Sequence, residues 1–480
     1  MSDLLPKRLA DFPSKGYVIA PAGYGKTHLI ALAVNEANQR QLILTHTFAG
    51  VNSIQNKMKA ERVASSKYQI DTIASWALRL CLAYPRNSVW TVEAPEGKQW
   101  SQLYESCCRL LKKDFIRHII SSTYSGLYVD EYQDCSQLQH SLICLLAEFF
   151  PCRILGDPMQ AIFDFADTPV DWESSIYPSF ECLGQLETPW RWNNVGADRL
   201  GAWLKEVRET LQNGGQIDLS QTLPDGVKRI EVDLNDFKNP RRYTVFYDFL
   251  KDSGASVIAI QSGDQQSKSK GHLLARNLTG KFSSIEEVEC KEMFSFLKKH
   301  ESAESVSQCF SFVRDFAKKC LTGVDKTLTA GTKRCEISKK TSKTKYPLIL
   351  EAANNYLKNP GSENIKVFFS LLKANPETNL YRRVLFNRFM NVLDMHINSD
   401  HPTLLESANI YQRDFRYSGR PLRYNKQIST TLLVKGLEYD HAVILGVDSL
   451  NAKELYVAMT RGSKSLTIIS SHDTLPVQKA

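Results

Sequence analysis

The stretch Ala20-Pro-Ala-Gly-Tyr-Gly-Lys-Thr27 constrains this chain more than any other. It follows the apolar run Tyr17-Val18-Ile19 and precedes Leu29-Ile30-Ala31-Leu32-Ala33, which reads as a helix. A strand, a glycine loop and a helix in that order turn backbone N–H groups toward a phosphate at the helix N-terminus. Ala22, Gly23, Tyr24 and Gly25 would line such a cradle, Lys26 would reach the β and γ oxygens, and Thr27 would hold Mg²⁺. Further on, Tyr128-Val-Asp-Glu-Tyr-Gln-Asp134 reads as a strand ending in acids. Asp130 there can hold the metal through water, and Glu131 can activate an attacking water. Together the two stretches point to nucleoside triphosphate hydrolysis.

Apolar strands recur at Leu42-Ile43-Leu44, Leu127-Tyr128-Val129 and Cys152-Arg153-Ile154-Leu155, with amphipathic runs between them. That alternation argues a parallel sheet flanked by helices, with functional residues at the carboxyl ends of the strands. A second set of strands is expected near Val245, at 256–260, at Thr431-Leu-Leu-Val434, at 441–445 and at 466–469. The fold class expected is α/β, with two RecA-like P-loop parallel-sheet domains and reduced helical insertions. The first domain covers 1–200, with a small insertion at about 81–125 marked by Pro85, Pro95 and Gly97. The second covers 201–480 and is split by a basic, mostly helical insertion at about 265–425.

Charge is unevenly placed. Residues 265–345 hold seventeen Lys/Arg against nine Asp/Glu, while the remainder is balanced at 43 against 43. Such a segment is either the footprint of a polyanion partner or a solvated lysine-rich surface. Eleven cysteines are scattered without metal-ligand spacing, which fits reduced thiols and a cytoplasmic protein. No apolar run is long enough to span a membrane, and the N-terminus lacks the order of a signal peptide.

Taken in order, these residues resemble superfamily 1 DNA helicases of the UvrD/PcrA type, well over 16–205 and 425–470 and weakly between. Thr45-His-Thr-Phe-Ala-Gly-Val51 and Thr72-Ile-Ala-Ser75 resemble the family's first DNA-contact motifs. Asp130-Glu-Tyr-Gln-Asp134 is similar to its acid motif, and Gly156-Asp-Pro-Met-Gln160-Ala-Ile-Phe163 to its coupling motif. Leu186-Glu-Thr-Pro-Trp-Arg191, Val434-Lys-Gly-Leu-Glu438-Tyr and Leu455-Tyr-Val-Ala-Met-Thr-Arg461 resemble three more. The resemblance implies ATP and Mg²⁺ as cofactors, single-stranded or partly duplex DNA as partner, and 3′-to-5′ movement. It implies that Gln160 senses the γ-phosphate, that Arg191 and Arg461 neutralise the transferred phosphoryl, and that Gly436 and Glu438 line the cleft. Trp190 stands where a residue stacks on the base; His46, Thr47, Thr72, Phe163 and Phe165 stand where the family meets DNA.

The chain departs from that pattern in four places. No glutamine precedes the phosphate loop, the first being Gln39. Leu432 replaces a histidine, and Phe165-Ala166 replaces a tryptophan–arginine pair. The insertions that contact duplex DNA in longer relatives are short here. By size and layout the chain also resembles the helicase-like subunit of Gabija-type anti-phage systems, which works with an ATPase–nuclease partner. Two functions stay open: a translocating DNA helicase, and a non-unwinding, DNA-stimulated ATPase that acts as a sensor or regulatory subunit of a nuclease complex.

Overall fold

Short β-branched runs separated by amphipathic helices have one economical solution, a parallel sheet with helices on its faces. A computed structural model of the chain shows it. The structure describes residues 4–477 apart from 94, 163–167, 232–240, 253, 264, 288, 400 and 419–423. The chain divides into two compact units, Met1–Val232 with Lys435–Ala480, and Asp233–Val434.

The first unit carries a six-stranded sheet built from β1 (Lys15–Ile19), β2 (Gln41–Thr45), β3 (Tyr68–Thr72), β4 (Gly126–Val129), β5 (Cys152–Gly156) and β6 (Glu181–Gln185). Their spatial order is β3-β2-β4-β5-β1-β6. Every pairing is parallel, with Val18 opposite Leu155 and Leu44 opposite Val129. The carboxyl ends of β1, β2, β4 and β5 therefore open on one edge of the sheet. Strands β2, β4 and β5 are buried along their whole length, as central parallel strands are. One face packs on Trp76, Leu103, Leu110, Ile116 and Trp172. The helices Gln99–Leu111 and Asp114–Thr123, inside the expected insertion, are thus part of this core layer.

Further parallel strands in each unit complete the α/β class expected from the sequence. In the first unit, Gly462–Ile469 lies parallel to both Tyr439–Ile444 and Val227–Ile230. In the second unit, Lys426–Thr430 lies parallel to Val257–Gln261 and Ser283–Ser284. Two strand expectations fail. Val245 lies in the helix Arg241–Lys251, where Val245 and Phe246 supply its buried face. Thr431–Val434 forms one helical turn, because the strand is Lys426–Thr430 just before it. A short apolar run has no period long enough to separate strand from helix.

The rest of the second unit is helical. Helices Lys291–Glu301, Val306–Cys320, Ser362–Ala374 and Arg383–Ile397 share a core of Phe296, Phe310, Phe316, Phe368, Phe369 and Phe389. Phe296 stacks on Phe316 with ring centroids 4.5 Å apart. Val306–Cys320 shows why such segments are helices. Ser305 caps it by accepting from Gln308 N–H, and Phe310, Val313, Phe316 and Cys320 return to one face.

Candidate nucleotide site

The phosphate loop leaves β1 and turns through Gly23 and Gly25, whose φ angles of +78° and +89° suit glycine. A side chain at Gly23 would place its Cβ 2.8 Å from Cβ of Arg191, so glycine also allows that approach. The helix Lys26–Glu36 opens on the lysine itself, and the N–H groups of a first helical turn have no partner within the helix. Thr27 follows on that turn, half-buried. Lys26 is buried, with Nζ 2.6 Å from Glu131 Oε1 and 3.5 Å from Asp130 Oδ1. Burial alone would discharge it. The two carboxylates outweigh burial and hold its pKa above the ordinary lysine value.

The acids follow β4. Asp130 is buried, and its Oδ1 accepts from Glu131 N–H at 2.9 Å. Glu131 takes a left-handed conformation, φ +57°, which is uncommon for a residue with a side chain. Its Oε2 accepts from Gln133 Nε2 at 2.6 Å. Burial pushes the Asp130 carboxyl upward against the pull of Lys26. Burial would raise Glu131 as well, but Lys26 and Lys435 together bring it below the usual carboxylate range. Asp134 is pushed up to about 6 by burial, with Lys435 pulling the other way. The Lys435 ammonium donates to Asp134 and to the Gln160 carbonyl, and burial lowers its pKa despite that company. Two lysines and three acids thus contest one small volume, the arrangement in which protonation states shift most.

The coupling turn leaves β5. Asp157 is fully buried; its Oδ1 accepts from Met159 N–H at 3.1 Å and its Oδ2 from Gln160 Nε2 at 3.2 Å. Gln133 Oε1 accepts from Asp157 N–H at 3.0 Å, so one glutamine bridges the Glu131 carboxylate and this turn. Arg191 donates from Nε to Glu438 Oε2 at 2.9 Å and from a terminal nitrogen to the Thr460 carbonyl at 2.6 Å. Its own N–H donates to the Gly23 carbonyl at 2.9 Å. Arg461 is buried and spends its N–H groups on the Val457 and Leu437 carbonyls and the Thr460 hydroxyl. Burial and the neighbouring Arg191 push its pKa down to about 9, and a guanidinium at that value stays protonated at neutral pH. Gly436 turns with φ +77°, and Trp190 remains 38% exposed.

The residues suggested for DNA contact divide three ways. His46 leaves β2 with Nε2 3.5 Å from Cys135 Sγ; burial and Lys435 lower its pKa to about 4, so it is neutral. Thr47 and Thr72 cap the helices Phe48–Ala60 and Ile73–Ala83 through their hydroxyls, at 3.1 Å and 3.0 Å. Phe163 and Phe165 lie outside the described residues.

The structure adds residues that the sequence reading left without a role. Asp134 and Gln133 were inside the acid motif, and Lys435 stood beside Gly436, so adjacency was their signal. Arg208, which pairs with Asp157 at 2.7 Å, lies outside every motif and had none.

A glycine-rich loop opening a helix, set beside an acid-ended strand of a parallel sheet, defines the P-loop class of α/β proteins. Residues 91–172 match the model of the UvrD/REP helicase N-terminal domain. No curated protein matches the chain. Among solved structures it is similar to the complex of arterivirus nonstructural protein 10 (helicase) with DNA, at 11% identity and a TM-score of 0.36. That match covers 97% of this chain and 62% of the arterivirus chain, so this chain spans less than two thirds of its length.

Proposed function

We propose that the chain is an ATP-dependent DNA translocase of UvrD type, hydrolysing ATP with Mg²⁺ on single-stranded DNA. The observation that carries it is Lys26 set against Glu131 and Asp130 at the carboxyl ends of β1 and β4 in one parallel sheet. Oxygen donors such as the Thr27 hydroxyl and the Asp130 carboxylate suit Mg²⁺, which keeps several waters and binds through one or two protein ligands. Bound phosphates would take over Lys26 and free Glu131 to orient water. Gln160 would report the γ-phosphate to the coupling turn, and Arg191 and Arg461 would meet charge on the transferred group. Trp190, Gly436 and Glu438 would rim the nucleotide; His46, Thr47, Thr72, Phe163 and Phe165 would face DNA.

Division into two RecA-like halves, 1–200 and 201–480, belongs to the same proposal, as does 3′-to-5′ movement. Eleven free cysteines support a cytoplasmic setting. Among the described residues no helix is long and apolar enough to cross a membrane. A place in an anti-phage complex beside an ATPase–nuclease subunit rests on size and layout alone.

One observation favours the second reading, a DNA-stimulated ATPase that does not unwind. The helices Gln99–Leu111 and Asp114–Thr123 are absorbed into the core of the first sheet and leave less of that stretch free to grip a duplex. The test is turnover of the purified chain with and without a single-stranded oligonucleotide, beside unwinding of a forked duplex. Stimulation with unwinding supports the translocating helicase, and stimulation without unwinding supports the sensor. Equal turnover with and without DNA overturns both.

A further inference from the structure

The helix Asp198–Gln212 carries no motif, yet Arg208 on it reaches the turn that holds Gln160. Arg208 is 5% exposed and Asp157 is fully buried. The guanidinium meets both carboxylate oxygens, Oδ1 at 2.7 Å and Oδ2 at 3.4 Å, and its remaining nitrogen donates to Gln212 Oε1 at 3.0 Å. Each of those oxygens is also used by the coupling turn: Oδ1 by Met159 N–H, Oδ2 by the Gln160 amide. The backbone N–H of the same Asp157 is held by Gln133, which holds Glu131. One buried pair therefore lies one hydrogen bond from Gln160 and two from Glu131.

Two other segments close around this pair. Tyr24 of the phosphate loop is buried, packs edge-on to Trp192 at 6.4 Å, and lies close enough to Arg208 to act on its charge. Tyr456 does so from the helix Ala452–Met459, which leads to Arg461. That helix packs against both the 158–160 turn and the helix Asp198–Gln212.

We propose that Arg208 is a positioning residue for hydrolysis. It fixes Asp157 so that the Gln160 amide and the Gln133–Glu131 bridge keep one geometry, and it ties the coupling turn to the helix Asp198–Gln212, on which the helix leading to Arg461 packs. The inference rests on the reading of the site as an ATPase. Without Arg208 the Asp157 carboxylate is a buried charge with no cation, and it must take a proton or rotate. Either change alters what Oδ2 offers Gln160. Lysine cannot replace the fork, because one ammonium does not span both oxygens.

The test compares the full chain with Arg208→Met and Arg208→Lys, measuring turnover with and without single-stranded DNA, the Michaelis constant and thermal unfolding. Arg208→Met is expected to lower DNA-stimulated kcat roughly tenfold to hundredfold, with the Michaelis constant within about threefold. The same substitution made on a Gln160→Ala background should cost less than about threefold, because the group it positions is gone. A merely structural arginine would lower the unfolding temperature and leave that non-additivity absent. The inference is overturned if folded Arg208→Met keeps kcat and DNA stimulation within about twofold of wild type, or if its cost is unchanged by Gln160→Ala. Should Arg208→Met fail to fold, Arg208→Lys is judged by the same two criteria. A wild-type chain whose hydrolysis ignores DNA overturns the reading of the site instead, so the two failures are distinct.

Discussion

Each unit buries a cation among carboxylates, and the two burials differ in kind. In the second unit Arg382 is 4% exposed and fully answered: Glu286 takes it through both oxygens at 2.6 and 2.5 Å, and Glu292 accepts at 2.9 Å. Lys319 balances Glu292 from the other side at 2.9 Å. Burial would discharge Arg382, and these partners hold its pKa above the ordinary value. Around Lys26 the sum does not close so neatly. Asp130, Glu131 and Asp134 compete for Lys26 and Lys435, with two of the acids pushed up, one pulled down and one lysine pushed down. The backbone at Glu131 is held left-handed as well. Burial of charge is therefore no mark of a site by itself. Contested charge on a strained backbone is the stronger mark, since such an arrangement lowers stability and persists where function needs it.

The largest expected effect tests that contrast on chemistry. Lys26→Ala and Glu131→Gln should each lower ATP turnover by about a thousandfold, within the range that removing a catalytic group costs. Lys26→Ala should also weaken nucleotide binding, while Glu131→Gln should bind ATP and leave it uncleaved. Glu131→Gln removes the nearest anion from buried Lys26, whose attraction holds the Glu131 carboxyl below the usual range, so its unfolding temperature should fall below that of wild type. A Glu131→Gln chain that hydrolyses at nearly the wild-type rate removes Glu131 from the chemistry.

Next in size is the matched pair. Arg382→Met leaves Glu286 buried without a cation and should cost about 3–5 kcal/mol of stability, read from denaturant unfolding. Turnover per folded molecule should stay within about threefold of wild type. Loss of turnover without loss of stability would erase the distinction drawn between the two clusters.

How much of this was legible in the sequence follows from range. The strands β1, β2, β4 and β5 were readable because each is a short apolar run bounded by turn residues. The phosphate loop and the acids were readable because their chemistry needs fixed local spacings. Val245 and 431–434 were misread, since runs of that length fit either period. The Arg208–Asp157 pair joins residues 51 positions apart, and nothing local marks it. Lys435 meets Asp134 across 301 positions, and only the glycine beside it gave a hint. Contested charge is a property of assembled strands, so the pattern that best identifies the corner exists only after folding.

A smaller effect comes from pH, and in the second unit it runs through neutral histidines. Burial lowers the pKa of His272, whose Nδ1 lies 2.8 Å from Ser284 Oγ, and of His300, whose Nε2 lies 2.7 Å from the Tyr356 hydroxyl. Below the unfolded value of 6.5 the unfolded chain takes up protons that the folded chain refuses. Stability is therefore full above that value and falls as pH drops through it. Unfolding temperature should be lower at pH 5.5 than at pH 7.5, and His300→Gln, which keeps a partner for Tyr356, should make the drop shallower (about one histidine's share). An unchanged slope in that variant assigns the effect elsewhere.

Smaller still is the contribution of the basic segment. Lys339, Lys340, Lys343 and Lys345 are exposed, and Lys345 is already paired with Glu377 at 2.9 Å. Replacing all four by alanine should weaken single-stranded DNA binding by about tenfold at low salt and flatten its salt dependence. Unchanged affinity and slope would make the segment a solvated surface.

The smallest effect concerns the rim of the contested corner, where the nucleotide base would sit. No glutamine precedes Lys26 to read the edge of adenine, and Trp190 stands 38% exposed beside Arg191. A site that hydrogen-bonds a base discriminates sharply, because the wrong base leaves polar groups unpaired; a site that only stacks does not. Adenine and guanine offer similar faces to an indole. GTP should therefore support hydrolysis within about tenfold of ATP in kcat/KM, a gap of ~1.4 kcal/mol. Trp190→Ala should raise the Michaelis constant for both nucleotides by similar factors, because stacking is shared. The measurement is kcat/KM for ATP and GTP on wild type and on Trp190→Ala. A preference for ATP of several hundredfold would require a residue that hydrogen-bonds adenine, and recognition by stacking and phosphates alone would be ruled out.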